Sequence, residues 1–172
     1  MTLGPLDVRE LIGTPGATRR VALRGNLEGL GTELARVPDD APLSADLLLE
    51  SVVEGIVVSG VVRGTLALRC ARCLKAFDGS FTVDVEELFA ADAAADDDAY
   101  PLDRAGELDP EQMVRDAIGV ELPFSPLCRP DCQGLCEICG GDRNLGECPG
   151  HAAVDPRFAV LSELIPELPE SD

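Results

Sequence analysis

Positive charge is scarce in this chain of 172 residues. Its 14 lysines and arginines face 32 aspartates and glutamates, a formal net charge of −18 with a pI of about 4.2. A surface of that sign repels phosphate backbones, which argues against nucleic-acid binding over most of the molecule. Aromatic residues are few, with no Trp, one Tyr and five Phe, so there are few rings to stack on unpaired bases. No stretch reaches the ~18 apolar residues of a membrane span. The start, Met1-Thr2-Leu3-Gly4-Pro5-Leu6-Asp7, has neither a basic n-region nor an apolar h-region. The expectation is a cytoplasmic protein with no membrane partner. There is no P-loop, no G-x-G-x-x-G and no positioned carboxylate pair, and His151 is the sole histidine. These absences point away from an enzyme and from a small-molecule substrate.

The acidity is uneven. Residues 1–70 hold 7 basic and 9 acidic side chains, residues 71–127 hold 4 and 14, and residues 128–172 hold 3 and 9. The length suits one domain with a small appendage. Hydrophobic and turn patterning predicts an α+β fold, an antiparallel β-sheet core with two short helices and a cysteine-rich zinc-binding segment. Asp7 is placed to cap a short helix over 8–12, and Arg19 to Leu27 alternate as an edge strand. Residues 47–53 and 56–68 are rich in aliphatic and β-branched side chains around Glu54-Gly55, which predicts a hairpin, with Gly60 and Gly64 marking bulges or strong bending. A third strand follows over 80–89. The alanine- and aspartate-rich run that opens at Ala90 predicts an acidic loop over 90–108. A helix over 109–119 has Asp109 as N-cap and Pro110 at its first position, and Asp155-Pro156 opens a second that ends before Pro166. Residues 1–125 thus form a β-rich domain, and 126–172 a zinc-knuckle segment and C-terminal helix packed on it.

Seven cysteines without a signal peptide belong in a reducing compartment, and an odd number cannot all pair as disulfides. Cys70-x2-Cys73, Cys128-x3-Cys132, Cys136-x2-Cys139 and Cys148-x2-His151 use every cysteine and the histidine, eight donors that suffice for two tetrahedral ions. One partition puts Cys70, Cys73, Cys128 and Cys132 on a first Zn2+ and Cys136, Cys139, Cys148 and His151 on a second. Its rival is a single ion held by Cys128, Cys132, Cys136 and Cys139, with Cys70 and Cys73 as free thiols. Spacing alone leaves both open. Thiolate-rich sets are closed and electronically saturated, so the zinc, one ion or two, is expected to be structural. A redox role for Cys70-x2-Cys73 calls for a helix after the pair, and here a β pattern resumes. Seven thiolates outweigh the positive charge of two zinc ions, so loading leaves the chain more acidic still.

Cys70-Ala-Arg-Cys73-Leu, the distant run from Leu122-Pro123 through Cys128-Arg-Pro-Asp131-Cys132-Gln-Gly134-Leu135-Cys136-Glu-Ile-Cys139-Gly140, and the following Asp155-Pro156-Arg157 resemble the YceD family, the large ribosomal RNA subunit accumulation proteins of bacteria and plastids. The resemblance covers about residues 45–165. It departs at Gly141 to Leu145, where relatives often carry Asn-Leu-Asn, and at Cys148-Pro-Gly-His151, where they end in C-x-C. The resemblance implies a role in large-subunit ribosome assembly and supplies no reaction. Joined to the acidity, it leads to the expectation of a basic ribosomal protein as partner, whose Lys and Arg clusters the carboxylates would hold. Two alternatives are a local RNA contact through Arg19, Arg20, Arg24, Arg63, Arg69 and Arg72, favoured if they share one face of the sheet, and a redox-switched zinc protein.

Overall fold

The structure is a computed structural model, and it describes residues 3–91, 93 and 99–151. The chain divides into two compact units on either side of the Cys132–Gln133 bond.

In the first unit, β1 (Leu6–Asp7) is followed by β2 (Thr18–Gly25), β3 (Ala35–Arg36), β4 (Leu43–Ser51), β5 (Ile56–Arg69), β6 (Ala76–Ala90), β7 (Ala99–Pro101), β8 (Glu107–Leu108) and a helix, α1 (Glu111–Glu121). The main sheet has the order β2-β4-β5-β6-β7, with β3 also paired to β5, and β1 and β8 form a separate two-stranded ribbon. The long strands alternate as their sequences do. Leu43, Ala45, Leu47 and Leu49 of β4, Ile56, Val58, Val62 and Leu66 of β5, and Val83, Val85 and Phe89 of β6 are buried on one face. Met113, Val114 and Ile118 of α1 are buried too and join the same core. Tyr100 of β7 stacks on Phe89 with centroids 5.3 Å apart and donates its hydroxyl to Asp116 of α1 at 2.9 Å. Burial and the Asp116 carboxylate push that phenol up to about 12.

Several expectations change. Residues 8–12 form no helix. Asp7 belongs to β1, and Val8 and Leu11 bury themselves through successive turns, Leu11 N to Val8 O at 2.9 Å and Thr14 N to Leu11 O at 3.2 Å. A five-residue apolar pattern gains too little from a lone helix to hold one. Pairing runs unbroken through Gly60 on both sides and through Gly64 with β6, so neither is a bulge. Gly60 is instead a close approach, since a Cβ there would lie 2.1 Å from the Asp46 carbonyl oxygen. The core is not wholly antiparallel, because β6 and β7 pair in parallel. The 90–108 stretch is no continuous loop either. Ala90 ends β6, and β7 and β8 fall within it. Helix α1 starts one residue after Pro110 and runs through Gly119 to Glu121. The Asp109 carboxylate accepts from the Glu111 amide at 2.9 Å. The helix expected after Asp155 lies outside the described residues. Among the described residues no helix is long and apolar enough to cross a membrane.

Candidate metal centres

The β5–β6 hairpin ends in a tight turn that carries Cys70 and Cys73. Cys70 N donates to Lys75 O and Leu74 N to Cys70 O, both at 2.9 Å, and Leu74 closes the turn at φ +59°. The chain after α1 is tied to this turn by Ala71 N to Pro126 O at 2.8 Å, and Arg72 donates to the Cys132 carbonyl at 2.8 Å. The result brings Cys128 and Cys132 to the hairpin tip. Cys70 Sγ lies 3.7 Å from Cys132 Sγ, and Cys73 Sγ lies 3.6 Å from Cys128 Sγ. All four sulfurs lie within 4.8 Å of one another, and Cys70 and Cys132 are buried.

The second unit repeats the device. Cys136 N donates to Gly141 O at 2.9 Å and Gly140 N to Cys136 O at 2.8 Å, with Gly140 at φ +72°. These are the same two bonds, at the same offsets, as in the first turn, with the left-handed residue again fourth after the leading cysteine. A single-turn 3-10 helix, Arg143–Leu145, follows, capped by the Asp142 carboxylate accepting from Asn144 N at 2.8 Å. Glu147 closes this loop, its carboxylate accepting from Asp142 N and its own amide donating to Asp142 O, both at 3.1 Å. Cys136, Cys139, Cys148 and His151 come together with donor atoms within 4.8 Å of one another. Cys136 is buried, and Cys139 and His151 are exposed.

Four thiolates around one Zn2+ at ~2.3 Å make a tetrahedron with sulfur–sulfur edges of about 3.8 Å. The 3.6 and 3.7 Å separations fit that figure, and they are far too long for a disulfide bond of ~2.05 Å. Each group can therefore hold a metal ion. The grouping follows the two-ion partition, with the first set drawn from segments 55 and 62 residues apart and the second closed within sixteen residues.

Backbone amides prepare one thiolate in each group. Burial raises the Cys70 thiol, but the amides of Cys128, Cys73 and Arg72 outweigh it and hold the group at about 6. The amides of Cys139 and Ile138 hold Cys136 at about 6 against burial. Their neighbours move the other way. Burial and the adjoining sulfurs push Cys128 up to about 12. The Lys75 amide lowers Cys73 and the Gly150 amide lowers Cys148, yet burial and the neighbouring sulfurs raise both overall. A cation supplies the charge that lets the thiols of each group ionise together.

The six arginines named from the sequence separate by environment. Arg19 is half-buried and donates to the Asp7 carbonyl at 2.7 Å and to Glu10 at 2.9 Å. Arg63 pairs with Asp46 at 2.9 Å, and Arg72 belongs to the first metal group. Arg20, Arg24 and Arg69 have no ion pair or side-chain hydrogen bond among the described residues, and neither has Arg36 of β3, which sequence reasoning missed. Arg36 sits in a two-residue strand, too short to show a pattern. Only its pairing with Ala67 places it on the sheet.

The comparisons agree with the constellation. A protein of Mycobacterium tuberculosis, described only as uncharacterized, is 44% identical over 150 residues, covering 83% of this chain and 70% of its own length. One from Mycobacterium leprae, likewise uncharacterized, is 36% identical over 174 residues, covering 96% of this chain and 79% of its own. No solved structure matches the chain significantly. The profile of the large ribosomal RNA subunit accumulation protein YceD matches residues 58–165, from β5 through both cysteine groups, and with those relatives it shows that the chain belongs to the YceD family.

Proposed function

We propose that this protein is a non-catalytic, zinc-stabilised factor in large ribosomal subunit biogenesis that acts by holding a basic ribosomal protein. The pathway rests on the family, described as large ribosomal RNA subunit accumulation proteins. The metal reading rests on one observation, the two four-donor groups built on matching turns. The first is made wholly of thiols, two of them buried, and leaves no position for a substrate. Bound zinc would fix the hairpin tip to the segment after α1, and Cys70, Cys73, Cys128 and Cys132 would be its ligands.

Charge supports the partner. Asp78, Asp84 and Glu86 stand exposed on one face of β6 with no arginine or lysine paired to them among the described residues. Unpaired carboxylates on a chain of net charge −18 suit a partner whose own cations await RNA.

Two measurements test the reading. Native mass spectrometry is expected to find two zinc ions in the wild type and one in a Cys70→Ser/Cys73→Ser variant. Two ions in both would remove the proposed first site. Affinity capture from nuclease-treated cell extract is expected to retain a basic large-subunit protein, and to lose it when Asp78, Asp84 and Glu86 become Asn, Asn and Gln. Capture of no basic protein would overturn the partner.

A further inference from the structure

The register of β6 fixes which way its backbone points. In an antiparallel pair, alternate residues turn N–H and C=O toward the partner strand and the rest turn them away. Cys70 N donates to Lys75 O at 2.9 Å, and counting on from that pair gives the odd-numbered residues of β6 to β5. The even-numbered residues, from Ala76 to Glu86, turn their backbone groups outward. β7 takes up that edge only from Leu88 to Ala90, where it pairs in parallel. Over residues 76–87, about 36 Å of strand at ~3.3 Å per residue, the outward donors and acceptors have no protein partner among the described residues.

The two faces of that edge differ. The outward-turned residues also carry exposed side chains, Asp78, Ser80, Thr82, Asp84 and Glu86, while Phe77 and Phe81 are half-buried and Val83 and Val85 buried on the core side. A strand laid along β6 would place every second side chain beside carboxylates and the others beside the rim of the core. The outer face of the sheet as a whole carries both signs, with Asp46 and Glu50 on β4 and Arg63 and Arg69 on β5. Along the edge itself the sign is negative. Arg63 stands opposite Thr82 and is paired with Asp46, and Arg69 stands opposite Ala76, so no cation lies directly across from Asp78, Asp84 or Glu86. The far end of the sheet, β2, is also an edge, but it carries Arg19, Arg20 and Arg24.

We propose that the free edge of β6 takes up an extended segment of a basic protein as an added strand, a segment in which lysines or arginines alternate with apolar residues. The proposal rests on the reading of a basic protein partner and adds the way that partner is held. Bonds to the outward amides and carbonyls give affinity, and the two unlike faces select the sequence. An unguarded edge would accept any strand, a second copy of β6 included, and the carboxylates bar that pairing by repulsion. Cations across from Asp78, Asp84 and Glu86 lift the bar.

The test uses the zinc-loaded full chain and two fluorescently labelled peptides of about ten residues and equal charge, one alternating Lys with Val and one alternating Lys with Gly. By anisotropy the Lys/Val peptide is expected to bind about tenfold more tightly. In its complex the amides of Ser80, Thr82 and Asp84 are expected to exchange with solvent about tenfold more slowly or better, read by NMR. Thr82→Pro removes an outward N–H and no bond to β5, and is expected to weaken binding about tenfold. Ser51 N donates to Ala17 O, which puts Ala22 among the outward residues of β2, so Ala22→Pro makes the same change on the opposite edge and is expected to leave binding unaltered. Circular dichroism and zinc content check that the variants are folded, and exchange in the wild type decides should a proline variant not fold. Equal affinity for the two peptides, unslowed amides in the complex, or equal loss from Ala22→Pro would overturn the proposal. Capture of a basic large-subunit protein that is lost when Asp78, Asp84 and Glu86 become Asn, Asn and Gln but is untouched by Thr82→Pro would keep the partner and overturn the added strand. Peptide docking with slowed amides but no basic protein captured would end the ribosomal-protein reading and leave the docking edge standing.

Discussion

Leu74 adopts a left-handed backbone, φ +59°, in the turn where its counterpart in the second unit is Gly140 at φ +72°. A Cβ in that region costs about 1–2 kcal/mol, and Leu74 recovers little by packing because its side chain is 52% exposed. Leu74→Gly is therefore expected to leave stability unchanged within about 1 kcal/mol, the relief of strain offset by a freer unfolded chain. Gly140→Ala imposes the strain without relief and is expected to weaken zinc retention by the second group roughly 5- to 30-fold in a chelator competition. Equal retention by wild type and Gly140→Ala would show that the turn is not held in this geometry when loaded. The glycine after Cys139 was legible in the sequence as a turn residue, but the equivalent role of Leu74 was not, since nothing in a leucine announces a positive φ.

The thiols also fix the response to acid. Cys73, Cys128 and Cys148 are raised, so a cation must displace their protons near neutrality, and protons displace the cation as pH falls. Cys70 and Cys136, held at about 6, stay ionised until lower pH and then add their own protons to the competition. Apparent zinc affinity is thus expected to fall with acidification throughout and more steeply below about pH 6, as read by a competing chelating dye. A constant slope from pH 8 to pH 5 would contradict this order of protonation.

At the level of the elements, β5 is the strand on which the sheet depends, since it pairs with β3, β4 and β6. Gly60 sits in its middle, opposite Leu47 on one side and Val85 on the other. Gly60→Ala sets a methyl group 2.1 Å from the Asp46 carbonyl oxygen, a backbone atom that cannot move without parting β4 from β5. The expected loss is about 3 kcal/mol in denaturant unfolding. At Gly64 the nearest atoms, 2.7 Å away, belong to the Phe81 ring, which can turn aside, so Gly64→Ala is expected to cost less than half as much. Losses in the reverse order would show that the β4–β5 register differs from that described. The central hairpin was readable because its two strands are long, adjacent in sequence and dense in Val, Ile and Leu. What the sequence hid was decided by distant partners. β3 and β7 are two and three residues long and exist only through pairing with β5 and β6, and the apolar spacing of Val8 and Leu11 serves a turn as well as a helix.

For the whole molecule, the cysteine arithmetic carried further than the strand pattern. Eight donors in C-x2-C, C-x3-C and C-x2-H spacing left few ways to divide them, and the fold had only to choose between the two-set partition and a single set of Cys128, Cys132, Cys136 and Cys139. The charge figure was as legible but less specific, because a total of −18 conceals that arginines of β2, β3 and β5 share one face of the sheet with carboxylates of β4 and β6. That total has its own consequence for stability. The salt bridges seen, such as Arg63–Asp46 and Arg9–Asp7, join side chains largely open to solvent and contribute little. Repulsion among the excess carboxylates opposes the compact state, and it is screened as the Debye length shrinks from about 30 Å at 0.01 M salt to about 3 Å at 1 M. The melting temperature of the zinc-loaded protein is therefore expected to rise across that range in sodium chloride. A fall would mean that attractive ion pairs outweigh the net repulsion.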